Sequence, residues 1–186
     1  MNNYSIVDKV TEKTSKVIRK LSDLSVKRLL GTEAEVMRIS SVVINDMGET
    51  DEQVEATIIK EVLIKKPYSQ RVQIFQTIDE STSEVNVGGL DLWELLPIEI
   101  RIPFKGNYEE EPVALKKNDL LIELLRDENG NAIPFIMQIT RIHGAFHSKH
   151  IIGRFYEACL YRGALSPEIN QKIQAYVNAN KVIKEE

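Results

Sequence analysis

The chain's three histidines, His143, His147 and His150, crowd into one short segment, and imidazoles grouped in this way are suited to hold zinc or another transition metal. Their His-x3-His-x2-His spacing lacks helical context, because Gly144 places the segment in a loop between strands. No Asp or Glu lies inside the cluster to complete a site. The pattern reads instead as a solvated loop, or as histidines at a subunit contact that would be pH-sensitive, since imidazoles titrate near neutrality. Nucleophilic chemistry has less to draw on. No serine sits in a Gly-x-Ser-x-Gly elbow, and no Gly-x-x-x-x-Gly-Lys phosphate loop is present. The single cysteine, Cys159, lies in the apolar run of Tyr156, Ala158 and Leu160 and reads as a buried structural thiol. With 28 Asp and Glu residues, some carboxylates fall close together by chance, and their place in loops is a device for solubility. Single-strand nucleic-acid binding needs aromatic platforms beside basic residues, and only Arg154-Phe155-Tyr156 and Tyr161-Arg162 mix the two. The residues therefore point away from an enzyme and nominate no catalytic residue, cofactor or resident metal.

The elements that would position these side chains follow from composition and period. At 186 residues the chain suits one domain with its own core. Apolar residues at 42% and charged residues at 28% are in the globular range, and a net charge of −4 argues against a polycation that coats nucleic acid. No apolar run approaches the roughly 18 residues of a membrane span, and the polar start lacks the apolar core of a signal peptide. A soluble protein made in a cytoplasm is expected.

Periodicity changes twice along the chain. From Tyr4 to Leu30 the apolar residues Val7, Val10, Val17, Ile18, Leu21 and Leu24, with Thr14, recur three or four apart, which predicts an amphipathic helix with Ser5 or Asp8 at its start and Gly31 at its end. Its apolar stripe is expected to pack on the core. From about residue 33 to 163 the chain alternates instead. Strands are expected over residues 36–46, 54–65, 71–76, 98–104, 119–125, 133–142 and 150–162. In residues 98–104 the isoleucines and Phe104 form a buried face, and Glu99 and Arg101 a wet one. Asn129-Gly130 predicts a hairpin turn. Residues 77–94 read as one long acidic loop, net −5, holding Asp79, Glu80, Glu84 and Asp91. Ser166 and Pro167 open a final helix over about 166–184. The fold class is mainly β: one domain over 1–186, a β-barrel or sandwich with an N-terminal amphipathic helix and a short C-terminal helix.

In the second half, the run LKKNDLLIELLRDENGNAIPFIMQITRI followed by HIIGRFYEACLYRG resembles the neck proteins of tailed bacteriophages, the head-completion or stopper rings between portal and tail. Asn118-Asp119 stands where that family opens a strand, Asp127-Glu128-Asn129-Gly130 where it makes a short hairpin, and Ile151 to Tyr161 where its last barrel strand runs. The resemblance covers residues 115–163; the basic N-terminal helix has no counterpart in it. It implies a structural virion protein of a head–tail connector, a homo-oligomeric ring made in the host bacterial cytoplasm. Portal or adaptor and tail proteins would be its neighbours, and double-stranded DNA would pass through without sequence-specific binding. A tail-tube or tail-terminator ring subunit, or a small non-virion barrel binding single-stranded nucleic acid, is the alternative.

Charge patterning adds an expectation about assembly. Residues 4–30 carry a net +4 and residues 33–61 a net −6. A ring closes through head-to-tail contacts between unlike surfaces. Lys13, Lys16, Arg19 and Lys20 on the helix, and Glu49, Asp51 and Glu52 on the first hairpin, are the candidate interface residues. Asp79, Glu80, Glu84 and Asp91 are the candidates for facing a DNA channel, where acidic groups would repel phosphates and let the polymer slide.

Overall fold

The computed structural model describes residues 6–30, 33–46, 49–66, 75–79, 81–88, 97–104, 113–147 and 150–180. The chain is mainly β, with helix α1 at Ile6–Leu30 and helix α2 at Pro167–Ala179. Between them run β1 (Glu33–Asp46), β2 (Glu49–Lys65), β3 (Phe75–Ile78), β4 (Glu84–Gly88), β5 (Ile98–Arg101), β6 (Leu120–Arg126), β7 (Ala132–His147), β8 (His150–Leu160) and β9 (Gly163–Ala164).

Six strands close into an antiparallel barrel in the order β1-β2-β5-β8-β7-β6, so every strand in it has a neighbour on both sides. Alternation fills it. Val36, Ile59, Val62, Ile64, Ile98, Ile100, Leu121, Phe135, Met137, Ile139, Tyr156 and Ala158 form one cluster drawn from all six strands. A second cluster uses the opposite faces of β1, β6 and β7: Met37, Ile39, Leu120, Ile122 and Ile136 meet Ile173 and Val177 of α2 and Val85 of β4. β6 is therefore apolar on both faces, which explains why it reads as a continuous run, LLIELL, and not as an alternation.

Local signals set several boundaries. Ser166 accepts a hydrogen bond from the Ile169 amide at 3.3 Å and Pro167 takes the first helical position, so α2 starts where the sequence predicts. It ends at Ala179, and residues 181–186 lie outside the described residues, as do Ser5 and Gly31. At the β6–β7 turn Asp127 accepts from the amides of Asn129 and Asn131 at 2.9 and 2.7 Å, and Gly130 takes φ +83°. These bonds hold the Asp127 carboxyl below the usual carboxylate range, the side-chain amide of Asn131 being the largest influence.

Three expectations are corrected. Residues 77–94 are not one loop: β3 and β4 pair antiparallel around a tight turn and form a small sheet with β9. Residues 143–147 are not a loop either, because β7 runs through to His147, which pairs with His150 at the start of β8. Arg101 is not on a wet face. It has no exposure at all, although Glu99 beside it on β5 is exposed as expected.

Candidate functional site

α1 lies along the outside of the barrel over β8 and β2. It packs with the face opposite to the one its composition nominates. Ser15, Arg19, Asp23 and Val26 are buried, three or four apart, against the barrel. Of the stripe expected to enter the core, Val10, Val17, Leu21 and Leu24 are 58, 57, 59 and 50% exposed, Ile18 is half-buried, and the Val7 side chain lies outside the described residues. Thr14, in the middle of the stripe, is exposed as well.

The inversion has a local cause in polar partners on the barrel wall. Arg101 of β5 reaches outward and donates through Nε and Nη2 to Oδ1 of Asp23, the Nε bond measuring 3.0 Å. The other Asp23 oxygen accepts from the Phe104 amide at 3.0 Å. The Arg101 guanidinium stacks 4.6 Å from the Phe155 ring of β8. Gly153 of β8 makes room for it, since a Cβ there would stand 2.7 Å from Arg101 Nη1. One helical turn earlier, Arg19 donates to the Ile151 carbonyl at 2.6 Å and lies 4.6 Å from the Phe104 ring. A buried guanidinium without a carboxylate is costly, so Asp23 must face inward, and every other residue of α1 follows from that rotation.

Beside this seam a cleft of about 270 Å³ is lined by Asp23, Leu24, Lys27, Glu33, Glu61, Pro103 and Phe104. Two of its charged groups pair with each other, and Asp23 is held by Arg101 beside it. Lys27 is ion-paired with Glu33, which raises the lysine above its ordinary value, and Asp23 is held as described.

The other nominated residues are placed as follows. Lys13 and Lys20 project from the exposed flank of α1, and Lys16 pairs with Glu12 at 3.3 Å, one turn away. Arg19, nominated for an interface between copies, is instead consumed within its own subunit. Glu49, Asp51 and Glu52 open β2 at the far end of the β1–β2 hairpin, paired in register with Asp46, Ile44 and Val43; their side chains lie outside the described residues. Asp79 is a turn residue: its Oδ1 accepts from Ser81 Oγ at 2.6 Å and from the Ser81 and Thr82 amides, which lowers its carboxyl. Glu84 is exposed at the start of β4, and Glu80 and Asp91 lie outside the described residues.

The two histidines whose side chains are described occupy different places. His143 Nε2 stands 3.0 Å from Glu157 on the outer wall of the β7–β8 pair. His150 lies opposite His147 at the end of the hairpin, and the His147 side chain lies outside the described residues. Among the described residues no three His, Cys, Asp or Glu side chains are grouped to hold a metal, and no helix is long and apolar enough to cross a membrane.

Cys159 is half-buried, less enclosed than its sequence neighbours imply, and burial raises its thiol above the ordinary value. Thiolate is the reactive form, so a raised value leaves less of it at neutral pH. Alkylation of Cys159 by iodoacetamide is expected to run slower in the folded protein than in the denatured chain at pH 7.5, with the gap narrowing as pH rises. Equal rates at pH 7.5, read by mass spectrometry, would show that the thiol is not shielded.

The features that could have flagged the inversion were present but ambiguous: Ser15, Arg19 and Asp23 sit four apart, a polar stripe diametrically opposite the apolar one. The fold thus defines a class, a closed six-stranded barrel strapped by a helix whose apolar side faces away from it. Comparison with protein-family models, curated proteins and solved structures finds no match.

Proposed function

We propose that this chain is an assembly subunit without catalytic function, and that it forms a ring in the head–tail connector of a tailed bacteriophage. The observation that carries the assembly reading is the outward apolar stripe of α1. A lone subunit that buries an arginine and an aspartate while leaving four aliphatic side chains half exposed on one helix is built for a surface that something else covers. The phage assignment rests on the resemblance over residues 115–163. In this reading the barrels stand side by side around a channel, and the acidic residues of the 77–94 segment face passing DNA, repelling its phosphates. The subunit's two differently charged regions suit a layer between unlike neighbours, portal side and tail side: a basic helix, and a hairpin whose sequence is acidic.

Negative-stain microscopy of the purified chain, paired with light scattering over a concentration and salt series, tests the ring. Annular particles are the expected result. A monomer under every condition, or a filament without closure, would remove the proposal.

A further inference from the structure

We propose that the outward face of α1 is a coiled-coil seam that docks an acidic amphipathic helix from a neighbouring protein. This rests on the assembly reading above and names the chemistry of one partner.

The spacing is that of a heptad. Val10, Val17 and Leu24 stand seven apart, and Thr14 and Leu21 fill the intervening positions, giving steps of four and three along the exposed face. Such a narrow stripe matches the seam of a helix pair. Anchoring in a membrane surface calls for a broader apolar face rich in Trp, Phe and Leu, whereas these are mostly small side chains.

The flanks name the partner's charge. On one side of the seam stand Lys13, Lys20 and Lys27, seven apart, at the position that pairs with the flank of a facing helix. On the other stand Thr11, Ile18 and Ser25, which carry no charge. Lys27 has Glu33 as a partner, whereas Lys13 and Lys20 are exposed on the surface. A second copy of α1 is disfavoured: packed antiparallel it sets lysine flank on lysine flank, and packed parallel it brings two basic helices together with no carboxylate between them. A helix with Asp or Glu at its flanking positions would pair with both lysines and cover the seam. Among the described residues this chain has no such helix to offer another copy, since α2 carries only Glu168 and Lys172 and buries its apolar face on the barrel. The sequence-based expectation put the acidic hairpin of a second copy on this helix. A seam with 3-4 spacing fits a helix into its groove better than a twisted two-stranded ribbon.

The test uses the full chain and a synthetic helical peptide of about four heptads with Leu at the seam and Glu on both flanks. Its counterpart carries Lys on both flanks. Binding is read by fluorescence anisotropy of labelled peptide at low and high salt. Expected is saturable binding of the acidic peptide, roughly tenfold weaker at high salt, and none of the basic one. The double variant Leu21→Glu, Leu24→Glu changes only exposed positions, so its circular dichroism and melting should match the parent while binding is lost. The double variant Lys13→Glu, Lys20→Glu should bind the acidic peptide at least about tenfold more weakly and begin to bind the basic one. Three results would overturn the inference: no binding of the acidic peptide by the parent chain, self-association that disappears in the Leu21→Glu, Leu24→Glu variant, or binding to phosphatidylglycerol vesicles that the same variant abolishes. Annular particles that survive in that variant leave the ring standing apart from the helix. Their loss would assign the seam to a contact between copies.

Discussion

Asp23→Ala should destabilise the fold by about 3–5 kcal/mol, because it leaves the fully buried Arg101 guanidinium with no counter-charge and the Phe104 amide with no acceptor. The loss is read as a lower denaturant midpoint with little change in slope. It should also release α1. Among the described residues Asp23 is the one buried carboxylate of that helix, and Arg19, which donates to the Ile151 carbonyl, lies one turn away. Limited proteolysis should therefore cut within 6–30 sooner in the variant than in the parent. A second variant separates charge from packing. Asp23→Leu with Arg101→Met removes both ions together and should cost much less than Asp23→Ala alone, since a buried pair is often worth little more than its apolar replacement. A double variant as unstable as the single one would mean that packing, and not the stranded charge, governs the seam.

Asp119→Ala should cost about 2–3 kcal/mol through a different part of the barrel. Asp119 is buried and its Oδ2 accepts from Arg38 Nε at 2.8 Å and from the Lys116 amide at 2.7 Å. Arg38 lies on β1 and Asp119 stands immediately before β6, the two strands whose pairing joins the first strand of the barrel to the second half of the chain. The neighbouring backbone is committed too. Asn118 takes φ +73°, its amide donates to the Ile139 carbonyl at 2.9 Å, and the Ile139 amide donates to the Asp119 carbonyl at 3.0 Å. Asp119→Asn keeps an acceptor and should lose roughly half as much. A change below about 0.5 kcal/mol for Asp119→Ala would place it with ordinary surface substitutions and contradict its role as a clasp. Asn118 and Asp119 are the residues that open the resemblance to neck proteins, and their work in this chain is structural: a left-handed turn, then a bracket.

The strand pattern was legible because barrel walls are read locally. Ile98, Ile100, Ile102 and Phe104 alternate with Glu99 whatever the rest of the chain does, and Asn129-Gly130 and Ser166-Pro167 mark their turn and cap by short-range bonds. The β3–β4 pair escaped notice for the converse reason. Its strands are only four and five residues long, its turn is built by Asp79 with Ser81 and Thr82, and what holds it in place is distant: the Leu165 amide donates to the Ser83 carbonyl, and Asn170 of α2 to the Ser83 hydroxyl. The histidine segment is not legible as strand in the sequence, because Gly144 signals a break locally yet sits within a long two-stranded ribbon in register with Arg154.

For α1 the amino-acid sequence by itself determined that a helix forms and that it carries an apolar seam which water disfavours, because both follow from spacing along one segment. Which side meets the barrel was decided by tertiary structure alone. Arg101 and Gly153, far away in the chain, create a buried cation that Asp23 must neutralise, and that pairing outweighs the pull of four aliphatic side chains toward the core. Periodicity records the chemistry of one element, whereas the match between a charge on a helix and its counterpart on a strand exists only once the two are brought together.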